Sequence, residues 1–168
     1  MKIRFILFIL TASLVGCATP YQKVGTDMTG GHSFRRLSTD VFSIQFAGNG
    51  FTSPKRASDF ALLRSAEVCL EHNFRFFSII GEGDRSSTEI IDTGGTSYTT
   101  GTLNSYGGYG TYSGTTTYTP STMPVFKPGS EITIRCYVSQ PGGHAGKIED
   151  AAGIVSVLRG KYKLGNDS

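Results

Sequence analysis

Cys17, Cys69 and Cys136 are the cysteines of this chain, and each could do different chemistry. Cys69 and Cys136 are separated by 66 residues. A bridge between them would stabilise the fold by on the order of 4 kcal/mol in the chain-entropy model. Two reduced thiols would instead pack as small apolar groups. Geometry decides between these readings, because a bridge needs alpha carbons within about 7 Å. His32, His72 and His144 stand far apart, and none has metal-ligand spacing with another His or with Cys. A zinc site takes about four N, S or O ligands, so the histidines read as surface residues and no metal or cofactor is implied. Asp59 falls on an apolar helix face and reads as a first-turn acid at the positive end of the helix dipole. There is no Gly-x-Ser-x-Gly elbow, and Gly81-Glu82-Gly83-Asp84 lacks the Lys-Ser/Thr end of a phosphate loop. No residue is assigned a catalytic role. Tyr98, Tyr106, Tyr109, Tyr112 and Tyr118 are interleaved with Gly, Ser and Thr. Tyrosine gives large contact area at low entropic cost, so these five form either a recognition surface or an inert spacer.

The elements that place these residues begin with a targeting segment. Lys2 and Arg4 precede an apolar run from Phe5 to Val15, broken only by Thr11 and Ser13. That run is too short for the ~20 residues of a spanning helix and has the charge and position of a secretory signal. It runs directly into Leu14-Val15-Gly16-Cys17, which resembles the lipobox of bacterial lipoproteins. The resemblance implies a diacylglycerol thioether on Cys17, cleavage after Gly16 and acylation of the new amino group, palmitate being a typical chain. Each acyl chain contributes ~0.8 kcal/mol per buried methylene, and one chain alone holds only marginally. The residue after the cysteine is Ala18 rather than the Asp of inner-membrane retention, so the expected address is the outer membrane, on its periplasmic face.

Removing residues 1–16 leaves 152 of 168 residues, about one domain. Lys2 and Arg4 leave with the signal, so 16 basic residues become 14 against 13 acidic ones, a net charge of +1. No Lys/Arg cluster remains that could hold several phosphates, which argues against nucleic acid as a partner. Residues 17–40 show no apolar periodicity and read as a lipidated N-terminus and tether. Val41–Ala47 alternates, with Phe42, Ile44 and Phe46 on one face, as a half-buried strand does. Ser53 and Pro54 open a helix running to about His72, with Ser53 as its cap. Leu62, Leu63, Ala66, Cys69 and Leu70 share its apolar face, and Arg64, Glu67 and Glu71 form a solvated ion-pair side. Asn73 suits a left-handed cap, and Phe74–Ile80 reads as a second strand. Residues 93–122 carry no charge and almost no aliphatic side chains. They read as a low-complexity insertion, either a mobile loop or a long hairpin, with mobility favoured at the centre. Glu131–Ser139 alternates, placing Ile132, Ile134, Cys136 and Val138 together. Asp150 caps a closing helix lined by Ala151, Val155, Leu158 and Tyr162. The expected fold is α+β: a small, mostly antiparallel sheet with two helices on one face, one domain over residues 41–163, and a tail over 164–168.

Phe46-Ala47-Gly48-Asn49, Thr52, Asp59-Phe-Ala-Leu-Leu-Arg-Ser-Ala-Glu67 and Phe76-Phe77 resemble an uncharacterised family of small proteobacterial envelope lipoproteins. The similarity extends to Gly30-Gly31, Ser33, Leu37 and Lys161-Tyr162. It implies an anchored periplasmic domain and supplies no catalytic residues. The leading expectation is therefore a lipid-anchored, non-enzymatic binding or scaffolding module, with peptidoglycan or another envelope protein as partner. The alternatives are a cell-wall-directed hydrolase or enzyme accessory, and a carrier with an internal apolar cavity.

Overall fold

The structure is a computed structural model describing residues 18–25, 30–106, 109–142 and 146–165. The signal segment, Cys17 and its lipidation, and His144 lie outside the described residues. Two compact units are present, one of Met1–Ser87 with Phe126–Ser168, the other of Thr88–Val125.

The first unit is α+β. Its antiparallel sheet has the order β1 (Gly31–Arg36), β2 (Val41–Ala47), β6 (Gly129–Tyr137), β3 (Phe76–Asp84), β7 (Ile148–Asp150). The register places Phe42 opposite Ile134, Ile44 opposite Ile132, and Phe77 opposite Cys136. One face thus carries a continuous row of buried side chains. Val138, expected on that face, lies past the end of β6 and is exposed. The β3–β6 register shifts between Ile79 and Gly81, which turns Ile80 outward.

The helix α1 (Pro54–Glu71) begins as its sequence dictates. Pro54 occupies the first turn, and the Ser53 side chain accepts the Arg56 amide at 3.2 Å. It ends at His72, followed by Asn73 in the left-handed region at φ 64°. α1 lies on β2 and β6, while α2 (Ala151–Tyr162) packs chiefly along α1 and meets the sheet at β7. Asp150 caps α2 by accepting the Ala152 amide. Because α1 is covered from two directions, its buried arc is wider than the expected stripe. Ala57, Phe60, Ala61, Ser65 and Val68 join Leu63, Ala66 and Cys69, whereas Leu70 is exposed. Ser65 tolerates burial because its hydroxyl donates to the Ala61 carbonyl at 2.9 Å.

Residues 18–40 are not a tether. They hold β1, and Thr19 is fully buried. The Thr19 amide donates to Thr52 Oγ1 at 3.0 Å, and its own Oγ1 accepts the Asn49 amide at 2.8 Å. Backbone bonds from His32 to Gln22 and from Val24 to His32 stitch the segment onto β1. Gly30 and Gly31 stand at φ 86° and 138°. A Cβ on Gly30 would come within 2.2 Å of the Ala47 carbonyl oxygen. The paired glycines therefore serve close backbone packing. The expected tail is likewise tied down at its start: Leu164 packs against the core, and the Gly165 carbonyl accepts from Arg159.

The second unit is an antiparallel ribbon of β4 (Ser87–Tyr106) and β5 (Tyr109–Lys127), a two-stranded sheet of its own. Over its described residues the tract is the hairpin of the two readings; the centre, where the sequence favours mobility, lies outside the described residues. Thr and Tyr have high strand propensity, and Thr99 and Thr116 join their hydroxyls across the ladder at 2.9 Å. All side chains over 88–104 and 111–124 are exposed. Deleting Gly95 to Thr119 and closing the gap with a short turn should therefore shift the unfolding free energy of the first unit by less than about 1 kcal/mol. A urea titration checks this, and a loss of several kcal/mol would show that the ribbon supports the core.

Candidate functional site

Three constellations bring together residues capable of chemistry or recognition. The first is a charged cluster on the flank of α1. Arg64 Nη1 and Nη2 reach both carboxylate oxygens of Glu71 at 2.6 and 2.9 Å, and Nη1 also reaches Glu67 at 3.2 Å. From α2, Arg159 donates to Glu67 Oε1 at 2.8 and 3.1 Å. The Tyr21 hydroxyl donates to Glu67 Oε2. Together with His32 these residues line a pocket of about 500 Å³. The expected solvated ion pair is corrected here, since the Arg64 and Glu67 side chains are only 13% and 11% exposed. The reason is that the Tyr21 segment and α2 both fold over this flank.

Electrostatically the cluster balances two guanidinium groups with two carboxylates. Both oxygens of Glu67 are engaged, so the group is held rather than poised to move a proton. Burial, reinforced by the bond to Glu67, pushes the pKa of the Tyr21 hydroxyl well above its ordinary value. Burial, with Arg64 nearby, lowers His32 from 6.5 to about 4. The folded state thus resists protonating His32, while the unfolded chain takes up that proton near 6.5. Stability should fall as pH drops from 6.5 towards 4, a fall that begins well above the range where ordinary carboxylates titrate. His32→Gln should flatten the fall between pH 6.5 and 5, as read by melts across that range. Parallel curves for both proteins would contradict the assignment.

Asp59 is not a first-turn acid, because α1 begins at Pro54 and carries no acid in its first turn. Its carboxylate accepts from Tyr162 at 2.7 Å and from Lys161, with Lys55 at 3.7 Å. Burial acts to raise its pKa, but the bonds from Lys161 and Tyr162 outweigh it and hold the carboxyl below its ordinary value. Asp59 therefore fastens α1 to α2.

The second constellation is the thiol pair. The helix and strand faces do bring Cys69 and Cys136 together in the core, but both are free thiols and no bridge joins them. Cys69 Sγ lies 3.3 Å from the Phe76 carbonyl oxygen, to which it donates. The hydrogen bond with Cys69 and burial push the Cys136 thiol up, so the Cys136 sulfur is not set up as a thiolate nucleophile.

The third is the ribbon. Tyr98, Tyr112 and Tyr118 are 68%, 58% and 54% exposed. Tyr106 ends β4 and Tyr109 begins β5; their side chains lie outside the described residues. The Thr99–Thr116 contact fixes the pairing, and alternate residues share a face. Gly95, Gly101, Tyr112, Gly114 and Tyr118 therefore fall on one face and Tyr98 on the other. A Cβ built on Gly101 would come within 2.5 Å of the Tyr112 ring, and one on Gly95 within 2.5 Å of the Tyr118 ring. The glycines thus serve as seats on which the rings lie across the ribbon, with their outer faces open to solvent.

Among the described residues no group of three or more His, Cys, Asp or Glu could hold a metal ion, and no helix is long and apolar enough to cross a membrane. The chain matches no protein-family model, no curated protein and no solved structure. Sequence reasoning missed Tyr21, which it placed in a tether, and Arg159. Neither carries a local signal, because their partner Glu67 is distant in sequence.

Proposed function

We propose that this protein is a lipid-anchored, non-enzymatic component of the bacterial envelope that binds or scaffolds through the tyrosine-bearing ribbon. The observation that carries the reading is the seating of Tyr112 and Tyr118 on glycines across a ribbon whose residues 93–122 hold no charge. Rings already ordered in the free protein give up little entropy on contact. The anchor rests on Lys2, Arg4, the apolar run and Cys17, and the outer-membrane address on Ala18. Resemblance to small proteobacterial envelope lipoproteins supports the anchor. Peptidoglycan or another envelope protein is the partner class that this address offers. A hydrolase would need an acid or base with shifted acidity facing a ligand. Glu67 and Asp59 are each held by cationic and phenolic partners instead, which favours the binding module; among the described residues His32, lowered to about 4 in the pocket beside Glu67, is the one feature that favours the alternative of a cell-wall-directed hydrolase. Crosslinking in cells, followed by mass spectrometry, tests the reading with the ribbon intact and with Gly95 to Thr119 removed. Partners should be captured by the intact chain and lost from the shortened one; identical capture by both would overturn it.

A further inference from the structure

We propose that the turn Asn49–Thr52 docks on the phospholipid surface beside the lipid anchor, with the Phe51 ring inserted at the boundary between headgroups and acyl chains. Docking rests on the anchored reading of Cys17 and adds an orientation to it. Cys17 stands two residues before Thr19, and Thr19 is fully buried. Two residues of chain span at most about 7 Å even when fully extended. Lipid on the Cys17 sulfur therefore leaves the first unit no slack, and whatever surrounds Thr19 is drawn to the bilayer.

The turn is what grips Thr19. The Thr19 amide donates to Thr52 Oγ1 at 3.0 Å, and Thr19 Oγ1 accepts the Asn49 amide at 2.8 Å. The Thr52 amide donates to the Asn49 carbonyl at 3.0 Å, closing a turn with Gly50 and Phe51 at its corners. Asn49 Oδ1 accepts the Phe51 amide at 3.1 Å and the Thr52 hydroxyl at 3.0 Å. Phe51 is thus held on the same braced turn that fastens the chain next to the anchor.

Phe51 is 74% exposed, more than any other large apolar side chain among the described residues. Single exposed apolar side chains are common; this one is set apart by its place beside the anchor. Ala47 to Pro54 carry no charge, so the turn takes no ion into the boundary layer, where burying one is costly. Lys55 follows, its side chain 77% exposed, and can extend its amine to headgroup phosphates while its stem lies along apolar surface. Interfacial elements bury their apolar groups about 5–10 Å deep at this level. The acyl chains hold the protein, and Phe51 fixes which end of it faces the membrane. Ala47 pairs with both Gly31 and Gly129, so that end of the sheet lies towards the bilayer. Val138, beyond the other end of β6, lies away from it.

Tryptophan fluorescence tests the contact, because the chain has no Trp of its own. Phe51→Trp and Val138→Trp proteins, expressed from the full-length sequence and purified from membranes, are reconstituted in phosphatidylethanolamine–phosphatidylglycerol vesicles with and without brominated phosphatidylcholine. Both positions are exposed, so folding is not at risk. Brominated lipid should quench Phe51→Trp several-fold more than Val138→Trp. Iodide in the buffer should do the reverse, quenching Val138→Trp several-fold more than Phe51→Trp. Emission from Phe51→Trp that iodide quenches as fully as that from Val138→Trp overturns the docking. So does emission shielded from iodide but untouched by brominated lipid, which marks a protein contact instead. Intact mass of each purified protein keeps the two readings apart. With lipid present, either of those results sinks the docking alone, whereas absence of lipid sinks the anchor and the docking with it.

Discussion

Phe60→Ala should cost the first unit ~3–5 kcal/mol, the range for truncating a buried phenylalanine. Phe60 is fully buried, and its ring meets Phe46 at 5.2 Å, Tyr21 at 5.2 Å and Tyr162 at 4.7 Å between centroids. Arg56 stacks over it at 4.8 Å. This one side chain therefore joins the sheet, the N-terminal segment, α1 and α2, and no single neighbour can move in to fill its place. The loss would be a large part of the ~5–15 kcal/mol that typically holds a domain together. Chemical denaturation of both proteins checks it, and Phe60→Leu, which keeps an apolar side chain in place, should lose less. A loss below about 1 kcal/mol for the alanine variant would mean that the four elements are not joined there.

Cys17→Ser should abolish anchoring altogether. A serine hydroxyl lacks the thiol whose sulfur forms the thioether to the diacylglyceryl group, and without lipid the chain keeps its signal segment as an unprocessed precursor. Labelled palmitate should enter the wild type and not the variant, and the variant should leave the outer-membrane fraction. Equal labelling and equal fractionation would remove the anchor from the account.

Legibility in the sequence followed amphipathicity. Phe42, Ile44 and Phe46, and again Ile132, Ile134 and Cys136, alternate because one face of each strand is buried and the other is not, so β2 and β6 could be read directly. Ser53-Pro54 and Asp150 marked both helix starts, because caps are local chemistry. β1 could not be read: as an edge strand, Gly31–Arg36 is bonded through its backbone and shows no apolar alternation. β7 is three residues long and borrows its order from β3. The charged cluster was misjudged for a related reason. The spacing of Arg64, Glu67 and Glu71 suits a solvent-facing helix side, and only the distant Tyr21 and Arg159 convert it into a covered one. The thiol pair was legible as a meeting of two faces, but whether a bond joined the sulfurs was not, since that depends on the spacing between layers. In the ribbon, the tyrosines were visible in sequence, whereas their glycine seats appear only once the strands are paired across the ladder.

The most direct measurement of the central claim is partner capture by a Tyr112→Ser, Tyr118→Ser double variant, crosslinked in cells beside the wild type. Both side chains are largely exposed, so the melt of the first unit should stay unchanged while captured partner falls several-fold. Capture equal to wild type, with the ribbon still folded, would contradict the claim that these two rings form the recognition face.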